Sequence, residues 1–115
     1  MQIENDFVRY QQLAQITNGM KNVAKIHRLT VAALGLGEAG EFQNIIKKVL
    51  AHGHPLDEAT TNKLIDEAGD ILWYLQEVAD ALGISLRTIA DRNITKLKAR
   101  YPDGFSSEAS INRKE

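Results

Sequence analysis

Two pairs of acidic residues stand inside apolar helical stripes, and this pattern constrains the fold more than any other feature of the sequence. Glu38 and Glu41 lie three residues apart, as do Glu67 and Asp70. At this spacing the members of a pair lie about 60° apart on one face of a helix. Glu38 and Glu67 each fall at the centre of an apolar stripe. The stripes consist of Val31, Leu34, Phe42, Ile45 and Val49, and of Leu64, Ile71, Tyr74 and Val78.

These acids need a partner that the sequence does not provide locally. A carboxylate on a core-facing side requires a cation or a proton. The residues four positions after the acids are apolar or aromatic, so no Glu-to-Lys pair forms within either helix; they are Phe42, Ile45, Ile71 and Tyr74. Two facing helices with four carboxylates instead predict an oxygen-only site suited to Mg²⁺ or Mn²⁺. No histidine follows any of the acids by three residues, which points away from a di-iron site.

Solvated acids on an exposed flank are the alternative, and two pairs that are both centred on apolar stripes favour the metal site. Each pair also encloses an Ala-Gly step. A glycine inside a helix costs about 1 kcal/mol relative to alanine. Gly40 and Gly69 therefore predict either close helix approach or access for a ligand.

Helical periodicity and turn residues divide the chain into four predicted helices. The first covers residues 4–16, and the second runs from about 20 to 52 with a joint proposed around residues 34–37. The third runs over residues 57–82 with Asp57 as its N-cap. Gly83 stops it, and Ser85 caps the fourth helix over residues 85–100. Short connections between four helices predict an all-α, four-helix-bundle-like fold, followed by a polar tail that needs a surface on which to dock.

Composition limits the setting in which such a protein works. A chain of 115 residues fits one domain, and the absence of cysteine excludes a disulfide framework and a thiolate metal site. The net charge of −1 gives no general attraction to nucleic acid or anionic lipid. The N-terminus lacks an apolar signal region, and no apolar run approaches the roughly 20 residues of a membrane span. We therefore expect a cytoplasmic protein that binds neither nucleic acid nor membrane.

Several segments in order resemble one known family. They are residues 33–41, the pair Lys47-Lys48, residues 66–75, Asn93, Lys96-Leu97 and residues 100–105. Together they closely resemble the MazG-like all-α nucleotide pyrophosphohydrolases, in which Glu-x-x-Glu followed by Glu-x-x-Asp binds metal. The resemblance covers most of residues 30–106, whereas residues 18–29 do not match. It implies a catalytic domain over residues 1–106 and a separate polar tail over residues 107–115.

The resemblance implies a reaction and a set of metal ligands. The reaction is hydrolysis of a nucleoside triphosphate, NTP or dNTP, at the α–β phosphate bond, which yields the monophosphate and pyrophosphate. Glu38, Glu41, Glu67 and Asp70 would bind Mg²⁺, for which Mn²⁺ can substitute. Glu41 and Glu67 are the predicted catalytic carboxylates, and Glu41 is the predicted base for the attacking water.

The predicted fourth helix carries groups suited to phosphate. Asn93 lies on its apolar stripe and is flanked by Lys96 and Arg100, which are natural phosphate ligands. Lys48, near the Glu41 side of its helix, is a further candidate, whereas Lys47 points away. The alternative for each cation is a solvated surface charge.

Trp73 and Tyr74 are predicted core residues, with stacking on a base as the alternative. The three histidines are predicted to be structural or exposed; they are His27, His52 and His54.

Two other functions and an assembly prediction accompany this hypothesis. A phosphoribosyl-ATP pyrophosphohydrolase resembles the same fold and cuts the same bond. A non-catalytic helical module that senses nucleotide or metal is the other alternative, and it would be expected to have lost part of the acidic quartet, which is intact here. Four short helices enclose little core, so we expect a homo-oligomer, either a dimer or a dimer of dimers.

Overall fold

The computed structural model describes residues 3–113, and this part of the chain is helical without a β-strand. Within these residues, no helix combines the length and the apolar character that a membrane span requires. The all-α prediction is confirmed. The helices are α1 (Ile3–Ile16), α2 (Lys25–Gly35), α3 (Glu38–His52), α4 (Glu58–Ala81), α5 (Leu86–Arg100) and α6 (Ser107–Ile111).

The predicted caps of the two C-terminal long helices are present. The side chain of Asp57 accepts a hydrogen bond from the backbone N–H of Thr60 at 2.9 Å, at the start of α4. Ser85 caps α5 in the same way through Thr88, at 3.1 Å. Gly83 has a φ of +73°, which glycine adopts without strain, and it separates the two helices. These local signals determine where α4 ends and where α5 begins.

The prediction of one helix from residue 20 to 52 was wrong at its start. Residues 17–24 form an irregular segment, because the side chain of Asn18 accepts a hydrogen bond from the backbone N–H of Met20 at 2.8 Å and holds a turn. The proposed joint is confirmed, since α2 ends at Gly35 and α3 begins at Glu38. The tail contains α6, which the sequence interpretation did not predict. Ser106 starts it by accepting a hydrogen bond from Ala109 at 3.0 Å.

Helix α4 is the central element and packs against α1, α2, α3 and α5. Helix α2 approaches α4 closely at its end, where a Cβ on Gly35 would overlap the ring of Tyr74. Only glycine lets α2 meet α4 at this point. The chain then turns within two residues into α3, so Glu38 begins its helix directly opposite α4. The predicted joint therefore positions the first acid.

The described residues bury little apolar surface. Few of their apolar side chains are buried, and most of those are small. The largest fully buried side chain is Gln76. The accessible surface is 8468 Å², whereas a monomer of this mass exposes about 6,300 Å². Apolar side chains account for part of the excess; those that remain well exposed include Leu34, Leu50, Ile65, Ile94, Phe105 and Ile111.

Candidate metal centre

Three of the four predicted metal ligands converge between α3 and α4. Glu38 is the first residue of α3, and Glu67 and Asp70 lie one turn apart on α4. One carboxylate oxygen from each of the three lies within 4.8 Å of the others. Glu38 and Glu67 are half-buried, and Asp70 is exposed. The arrangement is open on one side and enclosed by the two helices on the other.

Glu41 lies next to this cluster without being part of it. Its side chain is exposed, one turn beyond Glu38 on α3. Its negative charge contributes to the environment of Glu67, where it raises the pKa of that carboxyl group. Glu41 is thus close enough to act at the same centre. Of the four predicted metal ligands, it is the one that does not belong to the cluster of Glu38, Glu67 and Asp70.

The cluster carries negative charge that protein cations do not balance. Burial, followed by the charge of Glu38 and a hydrogen bond to it, raises the pKa of Glu67 above its ordinary value of 4.5. The Oε2 atom of Glu67 is buried and has no hydrogen-bond partner among residues 3–113. In the same part of the chain, no Lys, Arg or His forms an ion pair with any of the three acids.

This chemistry fits a hard divalent cation. The donors are all carboxylate oxygens, and one of them is buried with nothing to bind. Such a set favours Mg²⁺ or Mn²⁺ over softer metals that prefer sulfur or imidazole. A bound cation would relieve both the mutual repulsion and the unsatisfied oxygen.

A cavity of about 370 Å³ adjoins the acids; it is lined by Thr17, Glu38, Asp70, Trp73 and Tyr74. The indole Nε1 of Trp73 donates a hydrogen bond to the hydroxyl of Thr17 at 3.0 Å. The rings of Trp73 and Tyr74 meet edge to face, with their centroids 5.3 Å apart. Both aromatic residues are half-buried. Their interpretation as core residues therefore describes only part of their surface, because each also faces this cavity.

A second cavity, of about 170 Å³, lies between α3 and α4 and contains Lys48. Lys63, Thr60 and His54 also line it. Lys63 precedes Glu67 by one helical turn, about 6 Å along the axis. This cavity therefore lies beyond the acids in the direction opposite to the aromatic residues. His54, predicted as structural or exposed, contributes to its wall.

The predicted phosphate ligands of α5 are not brought to the acids within one chain. Asn93 and Lys96 are exposed, and the side chain of neither forms a hydrogen bond or an ion pair among the residues that the structure describes. Arg100 is half-buried at the end of α5, with its guanidinium carbon 5.9 Å from the ring centre of Tyr101. Helix α5 contacts α4 and α1, and its second half extends into solvent.

Three residues of these cavities were missed by the sequence interpretation: Thr17, Thr60 and Lys63. Lys63 had a detectable signal, because it precedes Glu67 by four residues and must share its side of the helix. Thr17 had none, since its contact with Trp73 spans 56 residues of sequence. The two glycines of the acidic motifs also differ from one expectation. A Cβ at Gly40 or Gly69 would meet no atom within 4 Å, so neither glycine serves close helix approach within the chain.

Comparison with known proteins agrees with this geometry. The sequence model of the MazG nucleotide pyrophosphohydrolase domain matches residues 27–105. The chain is also similar to the Gene 37 protein of Mycobacterium phage L5, at 33% identity over 97 residues. That alignment covers 83% of this chain and 85% of the phage protein. No solved structure matches the present chain.

Proposed function

The chain belongs to the MazG nucleotide pyrophosphohydrolase family, and from that premise we propose that it hydrolyses a nucleoside triphosphate, NTP or dNTP, to the monophosphate and pyrophosphate. Nucleotide pyrophosphohydrolase activity in general follows from the family. The bond that is cut, the metal and the roles of single residues are our proposal. The observation that carries it is the convergence of three uncompensated carboxylates beside a cavity with two aromatic walls.

The proposed metal ligands are Glu38, Glu67 and Asp70, with Glu41 as the fourth carboxylate. The buried and unpaired Oε2 atom of Glu67 supports this assignment, as does the raised pKa of that group. We propose Mg²⁺ as the ion, with Mn²⁺ as a substitute. When bound, such an ion would neutralise phosphate charge and lower the pKa of the attacking water.

Glu41 is the proposed general base. It lies outside the three-acid convergence and is exposed, so it stays free to accept a proton when the other acids are occupied. In the proposed step, water adds across the α–β anhydride. Glu41 takes one of its protons, a new bond forms between the water oxygen and one of the two phosphorus atoms, and the bond from that phosphorus to the bridging oxygen breaks, so that the products are the monophosphate and pyrophosphate.

Lys48 is the proposed phosphate ligand on the side of the leaving group. It shares its cavity with Lys63, and both ammonium groups lie along the same helix pair as the acids. A triphosphate laid along this groove would reach from the carboxylates towards these lysines.

We propose that the working unit is a homo-oligomer, a dimer or a dimer of dimers. The single chain exposes about 2,200 Å² more than a monomer of its mass is expected to expose. An interface of ordinary size covers about 800 Å² on each partner. Ile94 lies in the exposed second half of α5, and a neighbouring copy that covers this half would give Asn93, Lys96 and Arg100 a route to its phosphates. Light scattering coupled to gel filtration tests this, and an active monomer at micromolar concentration contradicts it.

The division into a domain and a tail is also a proposal. Residues 1–106 would form the catalytic domain, and residues 107–115 a tail that docks on a neighbouring subunit. Ile111 is 81% exposed, which leaves it available for such a contact. Deletion of residues 107–115 should then lower the oligomer mass or raise KM.

Product analysis tests the proposed reaction directly. Purified protein with Mg²⁺ and a panel of NTPs and dNTPs should release monophosphate and pyrophosphate, separated by anion-exchange chromatography. Diphosphate together with orthophosphate would contradict the proposed bond. Turnover of phosphoribosyl-ATP alone would assign the reaction to that substrate class. Nucleotide binding without any product would instead favour a sensing module.

A further inference from the structure

We propose that Thr17, the residue that follows helix α1, forms part of the wall of the nucleoside site and is a positioning residue that holds Trp73 against the base. The inference rests on the proposed function, because it assumes that the phosphates lie at the carboxylates. It assigns the ligand of the adjoining cavity as the aromatic base of a nucleotide. It also assigns a part in nucleotide binding to Thr17, which lies before the segment matched by the family model.

Helix α1 is held firmly against the rest of the chain. The side-chain oxygen of Gln11 accepts a hydrogen bond from the first backbone N–H of α5, that of Leu86, at 2.6 Å, and its amide nitrogen donates to the carbonyl of Ile84 at 3.1 Å. One turn later, the amide of Gln15 donates to Gln76 at 2.9 Å and to Glu77 at 3.0 Å. Gln11 and Gln15 are buried. The position of α1 is therefore fixed relative to α4.

The hydroxyl of Thr17 is fixed at the end of this helix. It donates a hydrogen bond to the carbonyl of Ala14 at 2.6 Å, so its proton is already used and its oxygen lone pairs point away from the helix. The next residue, Asn18, is buried and donates to Gln15 at 3.0 Å, which prevents the end of the helix from fraying. The oxygen of Thr17 is thereby presented as an acceptor to Trp73.

Trp73 is consequently held from two directions. Its indole N–H reaches Thr17, and its ring meets the edge of Tyr74, which in turn lies over Gly35. The two rings border the same cavity as Glu38 and Asp70. A base that enters this cavity would contact a rigid aromatic surface while its phosphates reach the acids. A cavity of about 370 Å³ falls within the range of small-molecule sites.

The residues of the proposed site come from two segments of the chain. The carboxylates and both aromatic residues lie within the matched segment, residues 27–105, whereas Thr17 and the two glutamines of α1 lie before it. The residue that holds Trp73 in place therefore comes from a different part of the chain than the carboxylates and the aromatic rings. A change at Thr17 should alter nucleotide binding without altering the catalytic step.

Trp73 is the single tryptophan of the chain, so its fluorescence reports on this cavity alone. Full-length protein is titrated with nucleoside monophosphates carrying different bases, and with tripolyphosphate as a probe that has phosphates but no base. We expect nucleotides to change the emission of Trp73 and tripolyphosphate to leave it nearly unchanged. Nucleotide binding at the carboxylates with no change in emission overturns the inference.

Five variants test the role of Thr17. Thr17→Val removes the acceptor, and loss of one hydrogen bond should raise KM for nucleotides about fivefold at nearly constant kcat. Thr17→Ser keeps the hydroxyl and should restore the wild-type KM. Trp73→Phe removes the donor and should raise KM like Thr17→Val, with no further increase in the double variant. Thr30→Val is the matched control, because the hydroxyl of Thr30 also donates to a backbone carbonyl, that of Ile26, but forms no hydrogen bond with an aromatic side chain among residues 3–113.

The outcomes separate this inference from the proposed reaction. A change in Trp73 emission without release of pyrophosphate supports the nucleoside wall and contradicts the reaction. Release of pyrophosphate with equal KM values for Thr17→Val and Thr30→Val supports the reaction and overturns the wall. An equal loss of nucleotide and tripolyphosphate binding in Thr17→Val also overturns it, because the residue would then act on the whole fold.

Discussion

Helix α4 carries two Glu-x-x-Asp pairs, and they have opposite surroundings. Glu67 and Asp70 converge with Glu38 and have no cationic partner among residues 3–113. Ten residues later, Glu77 and Asp80 share the guanidinium of one arginine on α2, at 2.5 Å and 2.8 Å. That arginine, Arg28, is buried, and so is Glu77. The same spacing thus builds a candidate metal centre at one place and a structural ion network at the other.

The pKa directions show what separates the two pairs. Burial alone would raise the pKa of Glu77, but hydrogen bonds from Arg28 and Gln15 outweigh it and hold the pKa below its ordinary value. For Glu67, burial and the neighbouring acids act in the same direction, and the pKa is raised. A motif of two acids therefore does not define a site by itself. The presence of a cation on the facing helix decides whether the motif needs a metal.

Removal of one carboxylate from each pair should separate activity from stability, and the largest effect is expected at the candidate metal centre. We expect Glu67→Gln to lower turnover about a thousandfold or more, because it removes a proposed metal ligand. The metal-free fold should stay intact or become more stable, since the change removes a repelling charge. Pyrophosphate release at saturating Mg²⁺ and thermal unfolding in a chelator measure the two effects.

Asp66→Asn is the control for this change, because Asp66 is the adjacent acid on α4 and is exposed. It removes the same charge from the same helix and should leave turnover within about twofold. Near wild-type turnover of a folded Glu67→Gln protein would end the assignment of the metal centre.

The cation of the second pair should matter most for stability. Arg28→Met leaves Glu77 buried without its main partner, and breaking a buried ion pair in this way costs about 3–5 kcal/mol of unfolding free energy. Urea unfolding at a fixed protein concentration measures the loss. Arg87→Met is the control, because Arg87 pairs with Asp91 at 3.4 Å on an exposed helix face. Exposed pairs of this kind contribute about 0–1 kcal/mol. Equal losses in the two variants would contradict the structural role of Arg28.

The two pairs also show how much of the molecule the sequence reveals. The helical class, the caps at Asp57 and Ser85 and the joint before Glu38 depend on neighbouring residues, and all are predictable. The carboxylate pairs are visible as spacing on an apolar stripe. Arg28, however, lies in residues 18–29, where the sequence interpretation found no resemblance, and its contacts with Glu77 and Asp80 span about fifty residues. Spacing alone does not show which of the two pairs receives that cation.

The same limit explains the other discrepancies. The contact of Thr17 with Trp73 depends on the packing of α1, which leaves no periodic signal in the sequence. Residues 17–24 were predicted to be partly helical because their turn depends on one side chain, that of Asn18. The exposure of Asn93 and Lys96 follows from how α5 packs on α4 and α1, which the cap at Ser85 does not determine. Long-range packing is what the sequence interpretation lacked.

The dependence of stability on pH should have opposite signs for the two pairs. The stabilisation due to Glu77 is present above its ordinary pKa of 4.5 and is lost as the pH falls through its lowered value. For Glu67, stability is highest below 4.5 and is lost as the pH rises through its raised value. The destabilisation of Glu77→Gln should thus shrink in acid, whereas the stabilisation of metal-free Glu67→Gln should vanish there. Thermal unfolding between about pH 3 and pH 7 decides this, and curves that shift in the same direction would contradict it.

The smallest effect is expected at the third residue of each Glu-x-x-Asp motif. This residue is Gly69 in one pair and Ala79 in the other. Ala79 is fully buried, whereas a Cβ at Gly69 would meet no atom within 4 Å. Gly69→Ala should therefore raise the unfolding free energy of the metal-free protein by about 0.5–1 kcal/mol. Ala79→Gly should lower it by about 1–2 kcal/mol, since helix propensity and a buried methyl group are both lost. If Gly69 leaves room for substrate, Gly69→Ala raises KM while the protein becomes more stable. If a second subunit packs on Gly69, the variant loses stability and oligomer mass together, and the surface beside the acids is an interface.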